Sequence, residues 1–173
     1  MGGLLSYDDV PPPRGWLAVA FLGVWLYLVS QVLRGYPTAV SDATGLDPYV
    51  AFQALAVTSG LGSIMVLSGL VAALWRANLA AGLSSSGVRG LVLGAAGVGV
   101  LVLFVVAAAL RLAGLEEDTL GALVRAQPVG DVLGTALAFA GLASLAVGLT
   151  HAIGLFRAPG EAPAAPKAAE KQA

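Results

Sequence analysis

Cysteine is absent from the 173 residues. That excludes disulfides, thiolate nucleophiles, iron–sulfur ligation and thiolate zinc sites. Histidine occurs once, as His151. Charge is scarce too: 11% of residues are Asp, Glu, Lys or Arg, against about 25% in an ordinary soluble domain. With a net charge of -1 and no basic stripe beside aromatic residues, the chain has no nucleic-acid footprint, and no nucleic-acid partner is expected. No phosphate-binding glycine loop, nucleophile elbow or HExxH pattern occurs, so no catalytic residues are assigned and no enzyme activity is expected.

The few charges are also segregated. No Asp, Glu, Lys or Arg lies between Gly15 and Leu33, between Tyr49 and Trp75, between Gly90 and Leu110, or between Val132 and Phe156. Proton pumps and ion-coupled transporters usually place ionisable groups within such stretches, because a charge tolerated in hydrocarbon marks function. What fills the stretches is apolar: 58% of the chain is hydrophobic and its mean hydropathy is +0.87. Runs of about 20 apolar residues match the roughly 30 Å hydrocarbon core of a bilayer. A soluble helix would need a polar face, and none of these runs has a charged one.

The expected fold class is therefore all-α: a polytopic membrane protein with four transmembrane helices in an up-down bundle, located in the cell membrane. The spans are placed at 15–33, 49–75, 88–110 and 132–156. Residues 1–14 form a polar leader with Asp8, Asp9 and the run Pro11-Pro12-Pro13. It lacks the basic start of a signal peptide, so the first helix is expected to be retained. Residues 158–173, rich in Ala, Pro, Lys and Glu, are too poor in bulky apolar residues to pack and read as a disordered tail.

Trp16, Tyr49 and Trp75 stand at span ends, where amphipathic rings suit the headgroup zone. Pro48 suits a first helical turn, and Ser84-Ser85-Ser86-Gly87 reads as a turn and N-cap. The connection 35–48 reads as irregular loop. Between Leu112 and Gly130, Glu116-Glu117-Asp118 followed by Leu120, Leu123, Val124 and Arg125 suggests a short separate helix, acidic at its start and basic at its end. The three adjacent carboxylates do not converge on one point in a helix and read as solvated. Counting Lys and Arg, one side carries Arg14, Arg76, Arg89, Arg157, Lys167 and Lys171, and the other Arg34, Arg111 and Arg125. The positive-inside rule then predicts both termini in the cytoplasm.

In lipid, helices associate through small residues and occasional hydrogen bonds. Candidate packing positions are Gly90 and Gly94 in the third span and the ladder Ala136, Ala140, Ser144, Gly148 in the fourth. The second span has Ala56 with Gly60, Ser59 with Ser63, and Gly69 with Ala73. The first span offers no such pair four residues apart, only bulky Phe21, Trp25 and Tyr27. Spans two to four are expected to form the tight core, with the first packing loosely or facing lipid or another protein.

Few residues suggest chemistry. His151 near the end of the fourth span is the candidate cofactor-binding residue, as an axial haem ligand or quinone partner. A bis-histidine haem needs a second ligand, and the alternative is a histidine at headgroup depth. No metal site and no resident cofactor are assigned. Gln53, Thr58, Ser59, Ser63 and Ser68 make the second span the most polar. They either line a small cavity or bond the carbonyls of the preceding turn. The expected function is a non-catalytic accessory or structural subunit of a larger membrane complex, with a respiratory or energy-converting assembly as one host. The alternatives are a small transporter or channel, and an electron-transfer subunit using His151. Expected partners are membrane lipids and other integral membrane subunits or a second copy of the chain.

Overall fold

The computed structural model describes residues 13–82, 84–115 and 118–153. The leader up to residue 12, Glu116 and Glu117, the end of the expected fourth span with Phe156, and the 158–173 tail lie outside them. The described chain is helical: α1 Pro13–Arg34, α2 Pro37–Thr44, α3 Pro48–Ala81, α4 Ser85–Leu112 and α5 Asp118–Ala152. All but α2 are long and apolar enough to cross a membrane. The protein is thus an all-α polytopic membrane protein.

The helix boundaries follow from local chemistry. Arg34 closes α1 with a cation against the carbonyl end of the helix. Pro37 opens α2 in its first turn, and Gly45 ends it at φ 72, a left-handed conformation that a Cβ would strain. Asp47 caps α3: its carboxylate accepts from the Tyr49 amide at 2.8 Å and from the Val50 amide at 3.4 Å, with Pro48 in the first turn. The Ser84 hydroxyl accepts from the Gly87 amide at 3.1 Å and starts α4. Beyond α4, the Leu115 amide donates back to the Leu110 carbonyl at 3.2 Å around Gly114 at φ 86, the geometry of a Schellman stop.

Three expectations about the connections are corrected. The 35–48 segment is not wholly irregular, since it folds Pro37–Thr44 into α2. The separate short helix expected after Leu112 does not exist as such. It is the first part of α5, which continues from Asp118 through Pro128 into the span. Pro128 removes one hydrogen bond, to the carbonyl of Val124, without ending the helix. Likewise α3 runs on to Ala81. At 34 and 35 residues, α3 and α5 are each about 50 Å long, well beyond the roughly 30 Å of hydrocarbon.

Consecutive long helices run antiparallel. The most extensive packing is α4 on α5 and α1 on α3, with α3 also lying against α4 and α5. At mid-height Leu67 of α3, Leu101 of α4 and Ala138 of α5 meet in one buried cluster, with Ile64, Val98 and Leu142 against it. α1 therefore does not pack loosely, one of the two alternatives expected for it; its outer face, with Phe21 and Trp25, is exposed as the other alternative had it, and the central cluster comes from α3, α4 and α5. α1 has one interior glycine of its own, Gly23, but α3 supplies the others. A Cβ on Gly23 would stand 2.7 Å from the Gly62 carbonyl oxygen, and one on Gly69 would stand 2.6 Å from the Trp16 carbonyl oxygen.

Seven-residue spacing explains both seams. Gly62 and Gly69 are seven apart on α3, as are Gly87 with Gly94 and Gly90 with Gly97 on α4, and Gly134, Gly141 and Gly148 on α5; all are buried. A repeat of seven stays on one face of a gently supercoiled helix. A strict step of four does not: at 3.6 residues per turn it drifts by about 40° each time. That is why the expected ladder fails at its upper end. Ala136 and Ala140 are exposed on the outside of α5 and Ser144 is half-buried, while Gly148 lies in the contact. The α5 contact face is Gly134, Ala138, Gly141, Leu145 and Gly148 instead. Gly90 and Gly94 are both buried: a Cβ on Gly90 would meet the Leu145 amide nitrogen at 2.6 Å, and one on Gly94 would meet Val71 of α3 at 2.8 Å.

Candidate functional site

Polar groups within the bundle divide into three places. At one end, Asn78 of α3 is fully buried. Its side-chain amide donates to the Leu74 carbonyl at 2.9 Å and to the Leu145 carbonyl of α5 at 2.8 Å. Its Oδ1 accepts no hydrogen bond from a described residue and sits over the Cα positions of Gly87 and Gly148, whose missing side chains leave it room: a Cβ there would come within 2.9 and 2.8 Å of it. Such close glycine approach is the geometry of weak Cα–H···O contacts. The arrangement ties three helices together and has no space for a ligand. Sequence reading missed Asn78 by placing it in a connecting loop; its signal was a lone amide flanked by apolar residues.

In the middle, the hydroxyls of α3 resolve toward structure. Thr58 donates to the Ala54 carbonyl at 2.8 Å, Ser63 to the Ser59 carbonyl at 3.2 Å and Ser68 to the Met65 carbonyl at 3.3 Å. Ser30 of α1 does the same with Leu26 at 2.7 Å. Ser59 alone is reached from another helix: Gln31 Nε2 of α1 donates to its Oγ at 3.1 Å. Hydroxyls bonded to their own preceding turn are satisfied without a cavity.

At the opposite end lies a recess of about 310 Å³ between the start of α3, the end of α4 and the first part of α5. Its walls are Tyr49, Val50 and Gln53 from α3, Ala108, Arg111 and Leu112 from α4, and Val124 and Gln127 from α5. The recess exists because α5 begins far out, at Asp118, and its outer turns stand beside the ends of α3 and α4. The Asp131 carboxyl lies one turn further along α5 from Gln127. Arg34, also at this end, lies over the Phe52 ring with its guanidinium carbon 4.6 Å from the centroid, a cation–π contact. Of the sequence candidates, only Gln53 falls in the recess.

His151 is exposed in the last turn of α5, at the end of the bundle that carries Asn78. The other candidates, Gly90, Gly94 and Gly148, are packing residues, and Ala136 lies on an exposed apolar surface with Pro128, Val129, Val132 and Leu133.

The fold and its polar groups define the class: a four-span α-helical membrane protein with glycine-lined seams, one buried amide tie, and a polar recess at one end. Comparison with protein-family models, curated proteins and solved structures finds no match to this chain.

Proposed function

We propose that the protein is a non-catalytic accessory or structural subunit of a larger complex in the cell membrane, with both termini cytoplasmic. The observation that carries this reading is the closure of the two main seams by backbone contact. A Cβ on Gly62 would stand 2.7 Å from the Tyr27 amide nitrogen of α1, and one on Gly90 would stand 2.8 Å from the Gly141 carbonyl oxygen of α5. Helices this close leave no lumen along either seam for a solute, which favours a rigid scaffold over a transporter or channel. In lipid such packing is itself the cohesive force, since apolar side chains gain little by hiding from acyl tails.

The face of α1 turned away from α3 suits attachment to a neighbour. Phe21, Trp25 and Val32 are all more than half exposed there. Large rigid aromatics of this kind dominate the energetics of contact surfaces.

The test is recovery of the protein from its own membranes in mild detergent, followed by native electrophoresis and identification of whatever travels with it. A defined larger assembly containing other membrane proteins is the expected outcome, with a photo-crosslinking residue at Trp25 joining it to one of them. Recovery solely as a free monomer, with no crosslink from α1, rejects the proposal.

A further inference from the structure

We propose that the recess walled by Tyr49, Gln53, Arg111 and Gln127 is a binding site for a phosphate-bearing anionic headgroup. It takes a cation and two side-chain amides from three separate helices and puts them around one space of about 310 Å³. The Arg111 guanidinium makes no hydrogen bond or ion pair with any described residue, so its fork of N–H groups can take an anion, which a guanidinium binds in bidentate fashion. Gln53 and Gln127 add amide donors, and Tyr49 adds a hydroxyl. Val50, Ala108, Leu112 and Val124 complete the wall with apolar surface, which suits the glycerol and upper acyl part of an amphiphile.

Two neighbouring groups limit the assignment. Asp131 is the nearest carboxyl along α5, one turn beyond Gln127, and it does not line the recess. The N-terminus of α3 is not itself the anion site, because Asp47 already accepts from the Tyr49 and Val50 amides.

Depth favours a lipid as the source of the headgroup. Measured from the central cluster of Leu67, Leu101 and Ala138, Arg111 and Gln127 lie about 15 to 17 Å along their helices and Gln53 about 21 Å. Half the hydrocarbon thickness is about 15 Å, so the recess opens at headgroup level. A basic residue in a last helical turn also complements the helix dipole with no ligand at all. What separates a binding site from that role is dependence on the glutamines as well as on Arg111.

The experiment uses the full chain in detergent micelles. Native mass spectrometry titrates it with phosphatidylglycerol and, separately, with phosphatidylcholine of the same chains; calorimetry titrates the delipidated protein with inorganic phosphate. The expected result is preferential retention of phosphatidylglycerol, weakened about tenfold or more by Arg111→Gln, the scale of a lost charged hydrogen bond. Gln53→Leu, which leaves the arginine in place, weakens it as well. Arg125→Gln, exposed on α5 and outside the recess, does not. Phosphate binding with the same dependence on Arg111 and Gln53 supports the site with a free anion as its ligand. Equal retention of both lipids together with no phosphate binding overturns the proposal, and so does equal loss in Arg111→Gln and Arg125→Gln. None of these outcomes depends on whether the protein has partner subunits.

Discussion

Asn78 on α3 donates its side-chain amide to the carbonyl of Leu145 on α5, 2.8 Å away, with the whole residue sealed from solvent. The bond crosses from the α1/α3 pair to the α4/α5 pair, so it ties two units that are each held mainly by their own glycine seam. Replacing Asn78 by Ala removes the tie and leaves a small void. A single interhelical hydrogen bond in a membrane protein is worth about 0.6 kcal/mol on average and up to about 1.7. Asn78→Ala should therefore destabilise the bundle by about 1 kcal/mol in a thermal or denaturant unfolding series in detergent. Asn78→Leu should cost more, because the added methyls meet Gly87 and Gly148 where the amide oxygen already sits close.

The glycines make a sharper prediction because otherwise similar positions differ in what surrounds them. A Cβ at Gly90 meets the Leu145 amide nitrogen at 2.6 Å, and backbone cannot rotate away as a side chain can. Gly90→Ala should force α4 and α5 apart and destabilise by about 1 to 3 kcal/mol, the usual range for overpacking. At Gly99, a Cβ meets nothing within 4 Å. Gly99→Ala should be neutral or stabilising by up to about 1 kcal/mol, since alanine is the better helix former. Ala140→Leu, on the exposed face of α5, should likewise be tolerated. Parallel unfolding of the three variants checks the seam residue by residue.

The number, character and approximate position of the spans were legible in the sequence, because hydrocarbon thickness dictates both the length of an apolar run and the exclusion of charge from it. The helix starts at Pro48 and Ser84 were legible for a similar reason: what begins a helix acts on backbone within one turn, although the capping carboxylate of Asp47 was not singled out. Helix pairing was less legible. A search for small residues four apart found Gly90 and Gly94, missed the seven-residue spacing of Gly62 with Gly69, and so missed the close α1/α3 seam. The glycine that matters on α1 is single, and its partners lie on another helix, which no pattern within α1 reveals. The recess was illegible for the same reason. Tyr49 and Arg111 resemble ordinary span-end residues, Gln53 was one of five polar residues of the second span, Gln127 stood in the connection before the fourth, and only the outward extension of α5 brings them together.

The revised place of α1 can be tested directly, and the absence of native cysteine makes the test clean. Gln31 and Ser59 are hydrogen-bonded across the α1/α3 seam at 3.1 Å, so cysteines at these two positions face each other with a gap left by the shortened Gln31 side chain. The double variant Gln31→Cys, Ser59→Cys should be joined by a short bifunctional methanethiosulfonate reagent, seen as a mobility shift reversed by reductant. The pair Gln31→Cys, Val102→Cys should not, because Val102 is exposed on α4 and α1 packs on α3 instead. Crosslinking of the second pair in preference to the first would mean that α1 sits elsewhere.

Orientation makes the last prediction. The end of the bundle with α2 and the recess carries Arg34, Arg111 and Arg125, whereas the opposite end carries Arg14, Arg76 and Arg89 among the described residues; in the sequence, Arg157, Lys167 and Lys171 follow α5, which ends on that side. The richer end is expected to face the cytoplasm. Asp42 on α2 and Ser85 at the start of α4 are exposed residues at the two opposite ends. In intact cells a membrane-impermeant maleimide should label Asp42→Cys and leave Ser85→Cys untouched until the membrane is opened. That result puts the Arg111 recess at the outer leaflet, so its headgroup would come from lipid on that side. The reverse labelling pattern inverts the topology and moves the recess to the cytoplasmic leaflet, where anionic lipids attract arginine most strongly.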